Sequence, residues 1–279
     1  MAEFRVRALS SREDLEGCVR IQRAVWGHAD LDITPVHNFC ISVETGAILL
    51  GAFAGREHVG YVYSFPGVVG GVRCQHSHHL AVLPAFRGRG LGLMLKRAQW
   101  REALRRGYRL VTWTFDPMLA RNANLNLHAL GAVGRRYLDD FYGPTPALVL
   151  DAGVPTDRLL VEWWISSKRV RDRMAGKRPE WSADRLPKAV EAKPGGVYPA
   201  VEPARPALRR MERRLLVELP RNIRELAAVP GLVGRWQAAV RTAFKGYFKA
   251  GYRLDDFLAG ERSFYVLTKA PGGRAKAAT

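Results

Sequence analysis

The chain has 279 residues, 47% of them hydrophobic and 25% charged, an ordinary composition for a protein that buries a sizeable core. No apolar run approaches the roughly 20 residues of a membrane-spanning helix, and Cys18, Cys40 and Cys74 are too few and too scattered for a disulfide framework or a zinc site. The net charge of +18 is uneven: residues 1–164 carry 19 Lys/Arg against 15 Asp/Glu, and residues 165–279 carry 25 against 11. Such a surplus suits a polyanion of any kind, so charge alone excludes little.

Phe4 to Leu9 alternates and predicts a first strand. Ser10 followed by Glu13 is a capping box for a helix over Ser11–Trp26, and a shorter helix is expected over Thr34–Val43. Ala47–Ala54 and Val59–Phe65 read as a hairpin around Gly55–His58, with a loop over Pro66–Gly71 and a strand over Arg73–Val82. Gly90–Arg106 has helical periodicity, Arg109–Phe115 is a strand, Leu119–Leu130 a helix closed by Gly131, and Ala132–Tyr137 and Arg158–Trp164 two more strands. Ser166–Ala207 is rich in Pro, Arg and Lys and reads as a linker or wrapping arm. A strand over Leu215–Leu219, a helix over Asn222–Ala250 and a strand over Ser263–Thr268 follow, and Pro271–Thr279 reads as a disordered tail. This order predicts an α/β (α+β) protein with a mixed sheet flanked by helices. The N-terminus has no apolar stretch of signal-peptide type, and a cytoplasmic location is expected.

The most informative segment is Leu80-Ala81-Val82-Leu83-Pro84-Ala85-Phe86-Arg87-Gly88-Arg89-Gly90-Leu91-Gly92. A strand, a turn, a Gly-rich loop and a helix start place unpaired N–H groups and a positive helix end together, which favours an anion. The spacing is neither the dinucleotide fingerprint nor the Walker motif, and on its own it also fits a tight strand-to-helix turn.

Arg87, Gly90 and Gly92 match R/Q-x-x-G-x-G/A, and with Leu80-Ala81-Val82 upstream the segment resembles the GNAT acetyltransferase superfamily. The resemblance implies a GNAT fold with a mostly antiparallel sheet. It also implies that Arg87, Gly88, Arg89, Gly90, Leu91 and Gly92 hold the CoA pyrophosphate while Leu80, Ala81 and Val82 pair with the pantetheine arm. Asn122 and Asn126 are candidates for its amides. The chain is then organised as a GNAT domain over 1–165, a basic Pro-rich arm over 166–207, a small strand–helix–strand extension over 208–270 and a tail over 271–279. The extension is small to fold alone. Packing on the sheet, covering the acceptor site and making a homodimer contact are the roles open to it.

His76, His78 and His79 lie just before Leu80. Strict alternation puts His76 and His78 on one face and His79 on the other. An amine must lose a proton before it attacks a thioester, and a histidine suits that task. H-x-H-x-L-A-V is similar to the pattern in arylalkylamine N-acetyltransferases, so His76 is expected as base with His78 assisting. Two histidines could also ligate a metal, but no carboxylate or Cys completes a set, and none is expected. The family's frequent acid, a Tyr four residues before the helix-ending Gly, is replaced by Leu127; Tyr137 and Tyr142 are candidate substitutes.

Cys18–Gly27, Trp113–Pro117, Arg121–Ala123, Pro155–Arg158 and the stretch Leu215–Leu267 together resemble a bacterial GNAT subfamily that includes D-amino-acid N-succinyltransferases. The expected reaction is transfer from acetyl-CoA or another acyl-CoA, succinyl-CoA included, to the amine of a small molecule such as an amino acid. A carboxylate on donor or acceptor calls for a cation, with Arg121 and Arg73 as candidates. Trp26, Phe39 and Phe115 are candidates to wall a side-chain pocket. A protein N-acetyltransferase and a CoA-binding or nucleic-acid-binding protein without catalysis are the alternatives; against nucleic acid, no recognisable binding motif is present.

Overall fold

A computed structural model describes residues 3–27, 30–143, 154–194, 201–209 and 211–269. The expected tail over 271–279 lies outside them. The chain divides into two compact units, Met1–Trp113 with Trp164–Ser167, and Thr114–Trp163 with Lys168–Thr279.

The first unit is built on β1 (Phe4–Ala8), α1 (Arg12–Trp26), α2 (Val36–Glu44), β2 (Ile48–Ala54), β3 (Glu57–Val69), β4 (Val72–Val82), α3 (Leu91–Arg105) and the start of β5 (Leu110–Phe115). The sheet order is β1-β2-β3-β4-β5, antiparallel up to β4 and parallel between β4 and β5. The α1 cap sits one residue later than expected: Ser11 Oγ accepts from Asp14 N at 3.2 Å, and Arg7 grips the Asp14 carboxylate with two bonds of 2.7 Å. Helix α1 turns Leu15, Cys18, Ile21 and Gln22 inward, and its core continues through Phe39, Tyr61, Tyr63 and Ala81. Phe39, expected as a pocket wall, is fully buried in that core.

Pro66–Gly71, expected as a loop, is a correction. β3 runs on through Pro66 and Gly67 to Val69, paired with Val72–Gln75, and only Gly70 and Gly71 turn. Both glycines have positive φ, 56° and 77°, as a two-residue hairpin turn between right-twisted strands requires. The Pro N carries no hydrogen to give a ladder, so its presence had suggested a strand end.

The second unit contains α4 (Ala120–Ala123) running into a π-helical turn (Asn124–Ala129), β6 (Val133–Leu138), β7 (Arg158–Trp164), α5 (Lys168–Met174), β8 (Lys188–Val190), β9 (Arg214–Leu219), α6 (Ile223–Leu226), α7 (Leu232–Lys249), β10 (Tyr252–Leu258) and β11 (Ser263–Lys269). Its sheet order is β7-β6-β10-β11-β9-β8; β8 and β9 are parallel and the other pairs among the described residues antiparallel. The expected helix over Asn222–Ala250 is broken at Pro230-Gly231, and β10 was not expected at all. The stretch 166–207 holds α5 and β8. α7 buries Leu232, Trp236, Val240, Phe244 and Tyr247 along one stripe. No helix among the described residues is long and apolar enough to cross a membrane.

Candidate active site

The histidine strand departs from regular alternation. β3 and β4 pair Tyr63 with His79 and then Ser64 with Ser77, so His78 is the extra residue of a β-bulge. The bulge puts His79 on the same face as His76, because their partners Tyr63 and Phe65 are two apart on β3. The expectation that His79 takes the opposite face is therefore corrected. His78 and His79 stack at 4.3 Å between ring centroids, and Phe65 lies 5.4 Å from His76 and 5.7 Å from His78. Tyr61 OH is 3.0 Å from His79 Nδ1, and Trp26 at the end of α1 lies 5.1 Å from the His79 ring. Trp26 is thus at the histidine cluster.

His76 Nδ1 lies 3.1 Å from Thr112 Oγ1 on β5. Burial, with the charges of His78 and Lys96, pushes the His76 pKa down to about 4, so its imidazole is neutral at pH 7. Burial also lowers the His78 pKa, although the residue as a whole is exposed. On the opposite face, Ser77 bonds Gln99 and accepts from Lys96 Nζ at 2.9 Å. The Lys96 ammonium also donates to Gln99 Oε1 at 2.9 Å and sits 3.8 Å over the Trp113 ring. Burial lowers its pKa to about 7.

The parallel ladder between β4 and β5 covers Cys74–His76 against Leu110–Thr112, whereas β4 runs on to Val82. From Ser77 onward, through Leu80, Ala81 and Val82, the ladder to β5 has ended. The chain then turns through Pro84–Phe86 into the loop that opens α3. Gly88 and Gly90 have φ of 81° and 80°, the left-handed region that only glycine enters without strain. A Cβ at either would meet nothing within 4 Å, so the requirement is conformational. Gly92 lies in the first turn of α3. Gly90 is the N-cap of α3 and supplies no side chain, leaving the helix's first amides uncapped by any side chain. Arg87 Nε donates to Val82 O at 3.1 Å, Arg89 lies over the Phe86 ring, and Leu91 is buried beneath the loop.

The other expected site residues belong to the second unit. Phe115 is buried, Asn126 is buried in the π-helical turn, Asn122 is half-buried and Arg121 is exposed. Leu130 N bonds Leu125 O at 2.9 Å, the five-residue step that widens this turn. Leu127, in the family's acid position, is fully buried. Tyr137 donates to Asp157 Oδ2 at 2.6 Å, and burial together with that carboxylate pushes its pKa up, which disfavours it as an acid. Tyr142 OH lies 3.0 Å from Thr114 Oγ1. Arg73 is exposed at the start of β4, 5.2 Å over the Tyr108 ring. Arg121 lines a cavity of about 530 Å³ with Asn124, Arg221, Glu261 and Ser263.

Sequence reading missed Thr112, Tyr63 and Phe65. The alternation Tyr61-Val62-Tyr63-Ser64-Phe65 carried a readable signal for three rings on one face; Thr112 carried none. Among the described residues no group of three His, Cys, Asp or Glu side chains is arranged to hold a metal ion.

Residues 13–132 match the model of the acetyltransferase (GNAT) family, and the chain has the GNAT fold, a mixed sheet flanked by helices. No curated protein matches the sequence. Among solved structures, the ribosomal-protein-S18-alanine N-acetyltransferase from Escherichia coli aligns at 16% identity and a TM-score of 0.48, covering 59% of this chain and 96% of its own. An acetyltransferase from Salmonella typhimurium with its cofactor acetyl-CoA aligns at 17% identity and 0.48, covering 59% and 95%. A GNAT family acetyltransferase from Elizabethkingia anophelis with acetyl-CoA bound aligns at 14% and 0.45, covering 59% and 99%.

Proposed function

We propose that the protein transfers an acyl group from an acyl-CoA to the amine of a small molecule, with an amino acid as the acceptor class. The observation that carries this reading is the end of the β4–β5 ladder at His76, beyond which β4 runs on to Val82 and then to a Gly-rich loop and an uncapped helix start. A strand edge released from its ladder offers N–H and C=O groups to an extended amide-bearing chain, which describes pantetheine. The uncapped amides of α3 then suit a pyrophosphate. In this reading Leu80–Val82 pair with the arm and polarise the thioester carbonyl, and Arg87–Gly92 hold the phosphates. Asn122 and Asn126 are assigned to the pantetheine amides.

His76 is assigned the role of base. With its proton on Nδ1 it donates to Thr112 Oγ1, and Nε2 presents a lone pair. A pKa near 4 keeps that lone pair open throughout the neutral range but makes His76 a weak terminal acceptor. In this reading the proton passes onward to His78 and solvent, and the exposure of His78 supports that assignment. The attacking nitrogen adds to the thioester carbon, the tetrahedral intermediate collapses, and the CoA thiolate leaves. Trp26 and Phe115 are assigned to the acceptor's side chain, and Arg121 to an anionic group on one of the substrates. The donor is acetyl-CoA or succinyl-CoA, with the GNAT domain spanning 1–165, the basic arm 166–207 and the extension 208–270.

The test is release of CoA thiol from acetyl-CoA and succinyl-CoA against a panel of L- and D-amino acids and small amines. Turnover with an amino acid supports the reading. Turnover confined to peptide N-termini or lysines replaces it with a protein acetyltransferase, and CoA binding with no turnover on any amine removes the catalytic claim.

A further inference from the structure

The side of β4 that faces α3 is polar where a sheet face under a helix is ordinarily apolar. Gln75, Ser77, Lys96 and Gln99 are all buried there. Lys96 Nζ on α3 donates to Ser77 Oγ and to Gln99 Oε1, at 2.9 Å each, and Gln99 Nε2 donates to Ser77 Oγ at 3.1 Å. The same ammonium lies over the Trp113 ring of β5. Burying it carries a desolvation cost that a Met or Leu at this place would avoid, so the group calls for a role other than filling space.

That role follows from parity along β4. Side chains alternate on a strand, so residues 77, 79 and 81 share a face unless the count is broken. Ser77 is held to the α3 side by Lys96 and Gln99. His79, two residues on, is held to the opposite side, where Tyr61 OH lies 3.0 Å from its Nδ1, and Ala81 joins Tyr61 and Tyr63 in the core with α1. The two anchors conflict, and one extra residue between them resolves the conflict. Only position 78 lies between, and His78 is the bulge. Gln75, bonded to Ser64 and to Gly46 O on the same side as Ser77, would by itself leave the extra residue free to fall anywhere from 76 to 78.

We infer that Lys96 is a positioning residue of the candidate active site: its hold on Ser77 fixes the bulge at His78 and keeps His76 in the ladder beside Thr112. Burial lowers the Lys96 pKa to about 7, yet the neutral amine retains two N–H donors, one for Ser77 and one for Gln99, so the hold survives on both sides of neutrality. The effect on turnover rests on the acyl-transfer reading with His76 as base; the position of the bulge does not.

The test compares the full chain with Lys96→Met, Ser77→Ala and Ser77→Thr, by NMR of isotope-labelled histidine side chains and by steady-state acyl-CoA kinetics. In the native chain the His78 and His79 rings, stacked at 4.3 Å, shift one another's signals. Lys96→Met and Ser77→Ala are expected to move the His76, His78 and His79 signals and to lower kcat at least about tenfold, with KM for the acyl-CoA within about twofold. Ser77→Thr keeps the hydroxyl and is expected to keep the native signals and rate. Ser77→Ala removes a single oxygen and decides the matter should Lys96→Met not fold. The inference is overturned if Ser77→Ala retains the native histidine signals, if the signals move while kcat stays native, or if Ser77→Thr loses as much as Ser77→Ala. Histidine signals that move as expected in a chain that acylates no amine leave the bulge assignment standing and remove the acyl-transfer reading.

Discussion

His76 Nδ1 and Thr112 Oγ1 stand 3.1 Å apart across the last rung of the parallel β4–β5 ladder. The contact fixes the imidazole at the point where β4 leaves its partner and begins the bulge at His78. Thr112 is a positioning residue in this account and His76 the base. Thr112→Val removes the oxygen and keeps the shape, so kcat is expected to fall about tenfold with KM for the acyl-CoA nearly unchanged, whereas Thr112→Ser restores it. Steady-state kinetics on the two variants check this; equal losses in both would mean that packing, not the hydroxyl, is what matters.

His76→Ala is expected to lower kcat/KM by about 100-fold at pH 7 while leaving the dissociation constant of CoA within about twofold. Because His76 is neutral throughout the neutral range, the native rate should climb with pH along the acceptor amine's own ionisation. It should show no inflection near 6.5 from this side chain. A pH–rate profile with such an inflection, abolished by His76→Ala, would contradict the depressed pKa.

The first unit should lose stability in mild acid. His58 has both ring nitrogens buried without a hydrogen-bond partner, and burial holds its pKa near 4, as it does for His76. A folded-state pKa below the ordinary 6.5 means that the unfolded chain takes up protons first as pH falls. The contribution is therefore intact above about 6.5 and is lost between there and about 4, by at most about 3 kcal/mol per group. Glu102 acts at lower pH, since Arg105 and Arg106 hold its pKa near 2 and its contribution goes only below about pH 4. Urea denaturation at pH 7 and pH 4.5 should show the drop, and His58→Leu should shrink it; an unchanged drop would exclude His58 as a source.

Gly90→Ala places a Cβ at φ 80° and should cost about 1 kcal/mol of stability. The larger effect is expected on CoA, whose dissociation constant should rise about tenfold as the loop shifts to relieve the strain. Gly107→Ala, at φ 76° beyond the far end of α3, should cost similar stability and leave CoA binding alone. Thermal melts with and without CoA distinguish the two.

Much of this was legible in the sequence because it depends on local rules. The strand-loop-helix signature around Gly88 and Gly90 needs positive φ at fixed spacing, alternation exposed β1, and a continuous apolar run exposed β2. What was not legible came from partners distant in the chain. The bulge at His78 is set by where β3 pairs with β4, so a strictly alternating reading put His79 on the wrong face. Thr112 reaches His76 only through parallel pairing across 36 positions. Pro66-Gly67 looked like a loop because proline weakens a ladder, yet the strand continues past it. β10 escaped notice because Asp255 and Asp256 interrupt its apolar pattern, although both carboxylates are buried against Arg169 and Arg173.

The central claim is that the histidine strand and the loop after it carry acyl transfer from CoA. The most direct test is thiol release from acetyl-CoA and succinyl-CoA with amino-acid acceptors, comparing the native chain with His76→Ala at pH 7. The account predicts turnover by the native chain and a loss of about 100-fold in the variant at unchanged CoA affinity. Full activity in His76→Ala, or CoA bound with no amine acylated by the native chain, would contradict it.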